Sequence, residues 1–83
     1  MSLEALNQAE KKAVGVKQAE KSVVRNNAAQ VYIANDADER VTEKLLELCR
    51  ERNVEVISVE SMNELGKACG IHVKAAAAAI LKS

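Results

Sequence analysis

Lys74-Ala75-Ala76-Ala77-Ala78-Ala79-Ile80-Leu81-Lys82-Ser83 are the last ten residues of this 83-residue chain, and their reading decides the fold. Five consecutive alanines favour a helix by intrinsic propensity. A short alanine-rich segment is marginal as an isolated helix, so tertiary surroundings can turn it into a strand. The tail is undecided until the residues before it are read.

Working back from the tail, Ser61-Met62-Asn63-Glu64 matches a capping box, with Ser61 covering the N3 amide and Glu64 reaching back. The short helix it opens carries Met62, Leu65, Gly66 and Cys69 on one stripe. Gly70 suits the left-handed position that stops it, and Ile71 can then fold back on Leu65. Val54-Glu55-Val56-Ile57-Ser58 reads as a strand. Before it, Glu39 to Arg52 is the clearest helix, capped by Asp38 and closed by Asn53. Its expected inward stripe is Val41, Leu45, Leu48, Cys49 and Arg52, with Glu39, Glu43, Glu47 and Glu51 on another face.

Gln30-Val31-Tyr32-Ile33-Ala34 is a β-rich run that reads as a buried strand, followed by the loop Asn35-Asp36-Ala37-Asp38. A further helix is expected from Lys17 to Asn26, with Ala19 and Val23 on one face and Asn26-Asn27 ending it. Gly15 and a short extended piece, Ala13-Val14, precede it. Helical spacing also runs from Leu3 to about Lys12, with Leu3, Leu6 and Ala13 inward, Ser2 as cap and Glu4 in the first turn. Helices alternating with strands predict an α/β domain with helices on both faces of a small sheet.

Eighty-three residues fit one domain, and a domain of this size buries only about 60% of its unfolded surface. The core is therefore small, and helix caps matter. Apolar residues make up 48% and charged residues 29%, ordinary values for a globular protein. No apolar run approaches the roughly 18 residues that span a bilayer. Met1-Ser2-Leu3-Glu4 lacks a basic region leading into an apolar stretch, so no secretory signal is expected. Cys49 and Cys69 lack metal or dithiol spacing and fall at apolar helix positions, as reduced core thiols of a cytoplasmic protein do.

The net charge is zero, but its sign is segregated. Residues 1–35 carry Lys11, Lys12, Lys17, Lys21 and Arg25 against Glu4, Glu10 and Glu20. Residues 36–64 are strongly acidic, and residues 65–83 carry Lys67, Lys74 and Lys82 with no acid. If the two ends meet in space, they form one basic patch opposite an acidic flank.

Three segments stand out together: Gly15-Val16-Lys17-Gln18-Ala19-Glu20-Lys21, the strand and loop from Val31 to Asp38, and Leu65-Gly66-Lys67-Ala68-Cys69-Gly70-Ile71 leading into small residues. In this order and at these separations, the chain resembles the kink-turn-binding ribosomal protein family, the L-seven-Ae group, in its short bacterial form. The resemblance covers nearly the whole length and implies a single domain over residues 1–83, a three-layer α/β/α sandwich with a four-stranded mixed sheet. It places the last strand at about Ala76 to Leu81, in the middle of that sheet. Larger archaeal relatives continue into a further helix, which leaves one sheet face expected to be thinly covered.

The same resemblance implies a non-catalytic RNA-binding protein, ribosomal or ribosome-associated and monomeric, that stabilises kink-turns with tandem sheared G·A pairs. Gly15 permits a tight turn, so that a helix N-terminus with free N–H groups can approach phosphate. Lys17 and Gln18 in the first turn and Lys21 one turn further are the expected base and backbone contacts. This chain carries Lys17-Gln18 where many archaeal members carry Asn-Glu; lysine donates only, and glutamine is neutral. In the second segment Ile71, His72 and Val73 form the tip that meets unstacked nucleotides, with Lys67 and Lys74 beside it for phosphate.

Other chemistries find little in the chain. Asp36 and Asp38 read as loop and capping residues. One histidine with no supporting motif proposes no catalytic constellation, and no metal or cofactor is expected. Tyr32, the only aromatic residue, falls in a strand and offers no stacking platform. The rival reading is a protein–protein module that uses the acidic helix 39–52 as its contact face.

Overall fold

The computed structural model describes residues 5, 6 and 8–82. Strands and helices alternate along it: β1 (Lys12–Val14), α1 (Val16–Val24), β2 (Ala28–Ala34), α2 (Glu39–Arg52), β3 (Glu55–Val59), α3 (Met62–Ala68) and β4 (Ala77–Leu81). Ala5, Leu6 and Gln8 are helical, and Leu6 is fully buried. Lys12, expected to end that first helix, instead belongs to β1. Ser2, Leu3 and Glu4 lie outside the described residues.

The alanine tract is a strand. The sheet order is β1-β4-β2-β3, with β4 antiparallel to both neighbours and β2 parallel to β3. Ala79 pairs with Ala13 on one side and Val31 on the other, and Ala78 with Val14 and Tyr32. As a helix the same residues would leave the facing edges of β1 and β2 unpaired. Ladder bonds on both sides therefore override a propensity worth a few tenths of a kcal/mol per residue, roughly up to 0.7.

Alternation splits the tract between two cores. Ala77 and Ala79 join Ala19 and Val23 of α1 with Val31, Ile33, Leu45 and Cys49. Ala78 faces the other way, with Tyr32, Leu6, Leu65, Cys69 and Val59. Methyl side chains on the central strand let α1 lie close to the sheet on one face and let the Tyr32 ring fill the other. The result is three layers: α1 and α2, the mixed sheet, then α3 with the Leu6 turn. Coverage of the α3 face is thin, since Val14, Ile57 and Ile80 remain half-buried there.

α1, α2 and α3 end in the same way. Asn26, Asn53 and Gly70 take positive φ (58°, 58° and 77°) immediately beyond α1, α2 and α3. The next amide in each case reaches back five residues: Asn27 to Ser22 (2.8 Å), Val54 to Cys49 (2.9 Å) and Ile71 to Gly66 (3.1 Å). These bonds satisfy carbonyls that a helix end would otherwise orphan, and they turn the chain sharply into the next segment. At the end of α1 the Arg52 guanidinium also donates to the Val24 carbonyl (3.2 Å), tying the two helices together.

The inward stripe of α2 is rotated from the expected one. Thr42, Leu45 and Cys49 are buried, whereas Val41 is 47% exposed and Arg52 is exposed. Periodicity located the face but not its centre, because Val41 and Thr42 sit on adjacent flanks and only packing against α1 chooses between them.

Burial pushes the Tyr32 phenol above its ordinary pKa, with the Glu55 carboxylate adding to the shift. Burial likewise raises the thiols of Cys49 and Cys69, the latter opposed by Lys12. Raised values favour the neutral forms in the folded state, so the stability they provide is complete below the unfolded values of about 8.5 and about 10. It is lost as pH rises through the folded values. Urea midpoints followed upward from neutral pH should hold to about pH 8 and then fall, and Tyr32 absorbance should titrate later than in the denatured chain. Coincident native and denatured tyrosine titrations would contradict the buried site.

Candidate nucleic-acid interface

The strand registers bring four connections to one edge of the sheet. Val14 at the end of β1 pairs with Ala78, and Ile33 near the end of β2 pairs with Ala77 at the start of β4. Ala34 pairs with Val59 at the end of β3. Gly15, the loop 35–38, the turn 60–61 and the loop 69–76 therefore line the same edge. Direct bonds lock them: the Gly15 amide donates to the Ala77 carbonyl (2.8 Å), Ala34 to Ala76 (3.0 Å) and Asn35 to Val59 (2.7 Å). The turn at Gly15 that opens the first glycine–lysine segment and the loop that follows the second therefore lie at the same edge.

The N-terminus of α1 at this edge is bare. Gly15 stands at its cap with φ 103° and ψ 154°, without a side-chain hydrogen bond, and the first turn holds no acid. The other two helices start differently. Asp38 accepts from the Arg40 amide (2.9 Å) at α2, followed by Glu39. At α3, Ser61 accepts from the Glu64 amide (3.1 Å), and Asp36 accepts from the Met62 amide (2.8 Å). Two helices thus have their partial positive ends answered by carboxylates and a hydroxyl, and the start of α1 has neither a side-chain cap nor an acid in its first turn. Gly15 serves this twice, since φ 103° is a region side chains rarely adopt and no Cβ shields the amides behind it.

Lys17, Gln18 and Lys21 are all exposed on α1. Their side chains diverge: Lys17 lines the groove toward α2, Gln18 lines the opposite flank beside Ala13 and Leu81, and Lys21 borders both. The first turn of α1 therefore presents a donor on each side of its exposed ridge rather than a single cluster.

Across the edge, the loop after α3 is held from beneath. The Ala75 amide donates to the Met62 carbonyl (3.1 Å), and the loop backbone at residues 73 and 74 runs directly over Gly66. A Cβ at Gly66 would fall on the Val73 carbonyl oxygen and lie 3.1 Å from the Lys74 Cα. The tip residues part company. Ile71 is half-buried against the core of Tyr32 and Leu65, whereas Val73 is 69% exposed. His72, Lys67 and Lys74 are exposed beside it.

Two contributors to this edge were read from sequence as something lesser. Gly66 had been only a member of a packing stripe; a glycine inside a short helical pattern is the available hint that another backbone passes close. Asp36 reads from sequence as a loop or capping residue, and the amide that its carboxylate accepts from is that of Met62, 26 residues later at the start of α3. Nothing local announces that bond. Among the described residues no group of three His, Cys, Asp or Glu side chains fits a metal ion, and no helix is long and apolar enough to cross a membrane.

Gly66→Ala provides a direct check on this geometry. Helix propensity alone would stabilise the variant by about 1 kcal/mol. Overlap with the Val73 carbonyl should reverse the sign and destabilise it by about 1–3 kcal/mol in urea unfolding. Asp36→Ala, which removes a cap without filling space, should cost about 1 kcal/mol. A more stable Gly66→Ala protein would mean that the loop does not rest on α3.

Known proteins share both this arrangement and its sequence. An RNA-binding protein of Caldanaerobacter subterraneus is 48% identical over 69 residues, covering 83% of this chain and 84% of that protein. The large ribosomal subunit protein eL8 of Halobacterium salinarum is 40% identical over 68 residues, 81% of this chain and 57% of its own length. Among solved structures, the 15.5-kDa RNA-binding protein of Giardia lamblia superposes with a TM-score of 0.85 at 35% identity, covering 99% of this chain and 74% of that one. The profile of the Ribosomal protein L7Ae/L30e/S12e/Gadd45 family spans residues 2–83. With fold and sequence in agreement, the chain belongs to that family.

Proposed function

We propose that this protein binds RNA without catalysis and stabilises kink-turns that carry tandem sheared G·A pairs. The observation that carries the reading is the bond between the Gly15 amide and the Ala77 carbonyl. It holds an uncapped helix N-terminus beside an exposed loop, so that one sharply bent backbone can touch both. Family membership and relatives described as RNA-binding or ribosomal proteins support it.

In this reading the Gly15 turn and the α1 amides face phosphate, and Lys17 and Gln18 reach base edges from the two sides of the ridge. Lys21, Lys67 and Lys74 neutralise backbone charge, and Ile71, His72 and Val73 pack against nucleotides displaced from the stack. Protein binding the bent RNA better than the extended form shifts the population toward the bend. The protein acts as a cytoplasmic monomer, on the ribosome or beside it. The rival reading, a protein contact face on α2, has less behind it. Glu39, Glu43 and Glu47 share their groove with Arg40 and Arg50, so its charge is largely balanced from within.

A kink-turn duplex labelled with donor and acceptor dyes on its two stems should show rising energy transfer on titration with protein. No rise at micromolar protein in low salt would sink the proposal. Lys21→Ala should weaken binding to every RNA tested and flatten the salt dependence by roughly one phosphate contact. Gln18→Ala should instead narrow the preference for RNA with G·A pairs over RNA without them. Equal losses on both RNAs would remove Gln18 from base reading.

A further inference from the structure

Beyond the edge just described, α1 and α2 enclose an open groove of about 310 Å³. Lys17, Lys21, Arg25 and Lys44 line it against a single acid, Glu20, and Val24 and Leu48 supply its apolar part. Val24 is 48% exposed, which is unusual for a valine on a helix that packs two layers. Among the described residues, none of the four cations is paired with a carboxylate.

The spacing is regular. Lys17, Lys21 and Arg25 follow one another at four-residue intervals along α1, a line about 12 Å long. Lys44 faces that line from α2 although Glu43 and Glu47 are close to it in sequence. Those glutamates line the groove on the other flank of α2 together with Arg40 and Arg50, so Lys44 is the charged residue that α2 presents toward α1. Lys17 and Lys21 belong to both this groove and the edge proposed to meet the kink, so the two surfaces are continuous.

We propose that the groove is a second track for RNA backbone, in which Lys44 grips phosphates of a stem leaving the bend. This rests on the kink-turn reading above and extends it to a helix that the sequence assigned to solvent or to a protein. Unpaired cations in a row match a polyanion, and the small apolar strip suits ribose edges lying across Val24 and Leu48. An acidic protein segment is the competing occupant, but the track opens directly from Lys17, where the RNA is already placed.

The test uses the full chain and two kink-turn RNAs that differ only in the length of one stem, repeated for either stem. Lys44→Gln alters an exposed mid-helix side chain, so its melting curve should match that of the wild type. On the RNA with the long stem it should bind roughly three- to tenfold more weakly, with a salt slope reduced by about 0.7–0.9. On the short-stem RNA it should bind as the wild type does. Lys44→Glu should enlarge the long-stem loss alone.

Wild-type affinity and salt slope for both variants on every long-stem RNA would overturn the track while leaving kink-turn binding intact. Absence of kink-turn binding by the wild type would overturn the underlying reading and the track with it. Backbone amide shifts provide a separate readout: RNA should move Val24 and Leu48. Shifts there with a poly-glutamate peptide and none with RNA would assign the groove to a protein and overturn the proposal.

Discussion

Backbone pairing of β4 on both of its sides is the constraint on which the rest of the molecule depends. Among the described residues β4 alone is a strand antiparallel to two neighbours, and it joins β1 to β2. Its first three side chains are methyl groups, with Ile80 and Leu81 half-buried at its end, so much of the burial around Ala77, Ala78 and Ala79 comes from what those methyls admit. Ala19 and Val23 approach one face, and the Tyr32 ring occupies the other. Larger residues at 77 and 79 would force α1 away from the sheet, and the first turn of α1 would move with it. Position of the candidate interface is therefore set in the middle of the sheet, not at the surface where it acts.

Helix ends divide the remaining work. The three C-termini are alike, each closed by a left-handed residue and a five-residue back-bond. Such ends are stiff, and they aim the following segment. The N-termini differ, and the difference bears on function. Caps at α2 and α3 use Asp38, Asp36 and Ser61, so these two acids close to the candidate interface are engaged with backbone amides. The same bonds that stabilise the scaffold thus quiet negative charge where an RNA backbone would arrive. Gly15 leaves α1 as the exception, and the alternation of capped and uncapped ends makes a local positive site on a chain with no net charge.

Much of the fold was legible in the sequence because its signals are local. Asp38, Asn53, Ser61, Gly70 and the Asn26-Asn27 pair each impose a conformation on their own neighbourhood, and each does so in the structure. The alanine tract was not legible from its residues, because its conformation is decided by partners more than forty residues away. Resemblance to a family supplied what propensity could not. At the candidate interface the exposed lysines and Val73 could be read directly. Gly66 beneath the loop and Asp36 beneath α3 could not, since their roles exist only once two distant backbones are brought together. The inward turn of α2 failed for a related reason: Thr42 is buried although it is polar, while the apolar Val41 beside it is exposed.

Charge arrangement has a further consequence for selectivity. A strongly basic protein gathers bulk RNA through long-range attraction and counterion release, whatever its shape. This chain, with equal numbers of acids and bases, has little such pull at a distance. Its cations act only within about a Debye length, roughly 8 Å at physiological salt. In the proposed reading, a straight duplex would meet α1 or the loop after α3, and a bent backbone would be needed to meet both. Short-range charge on a two-sided edge would then turn a shape requirement into an energetic one. Pairing of β4 on both of its sides is what would hold the two parts of that edge in place.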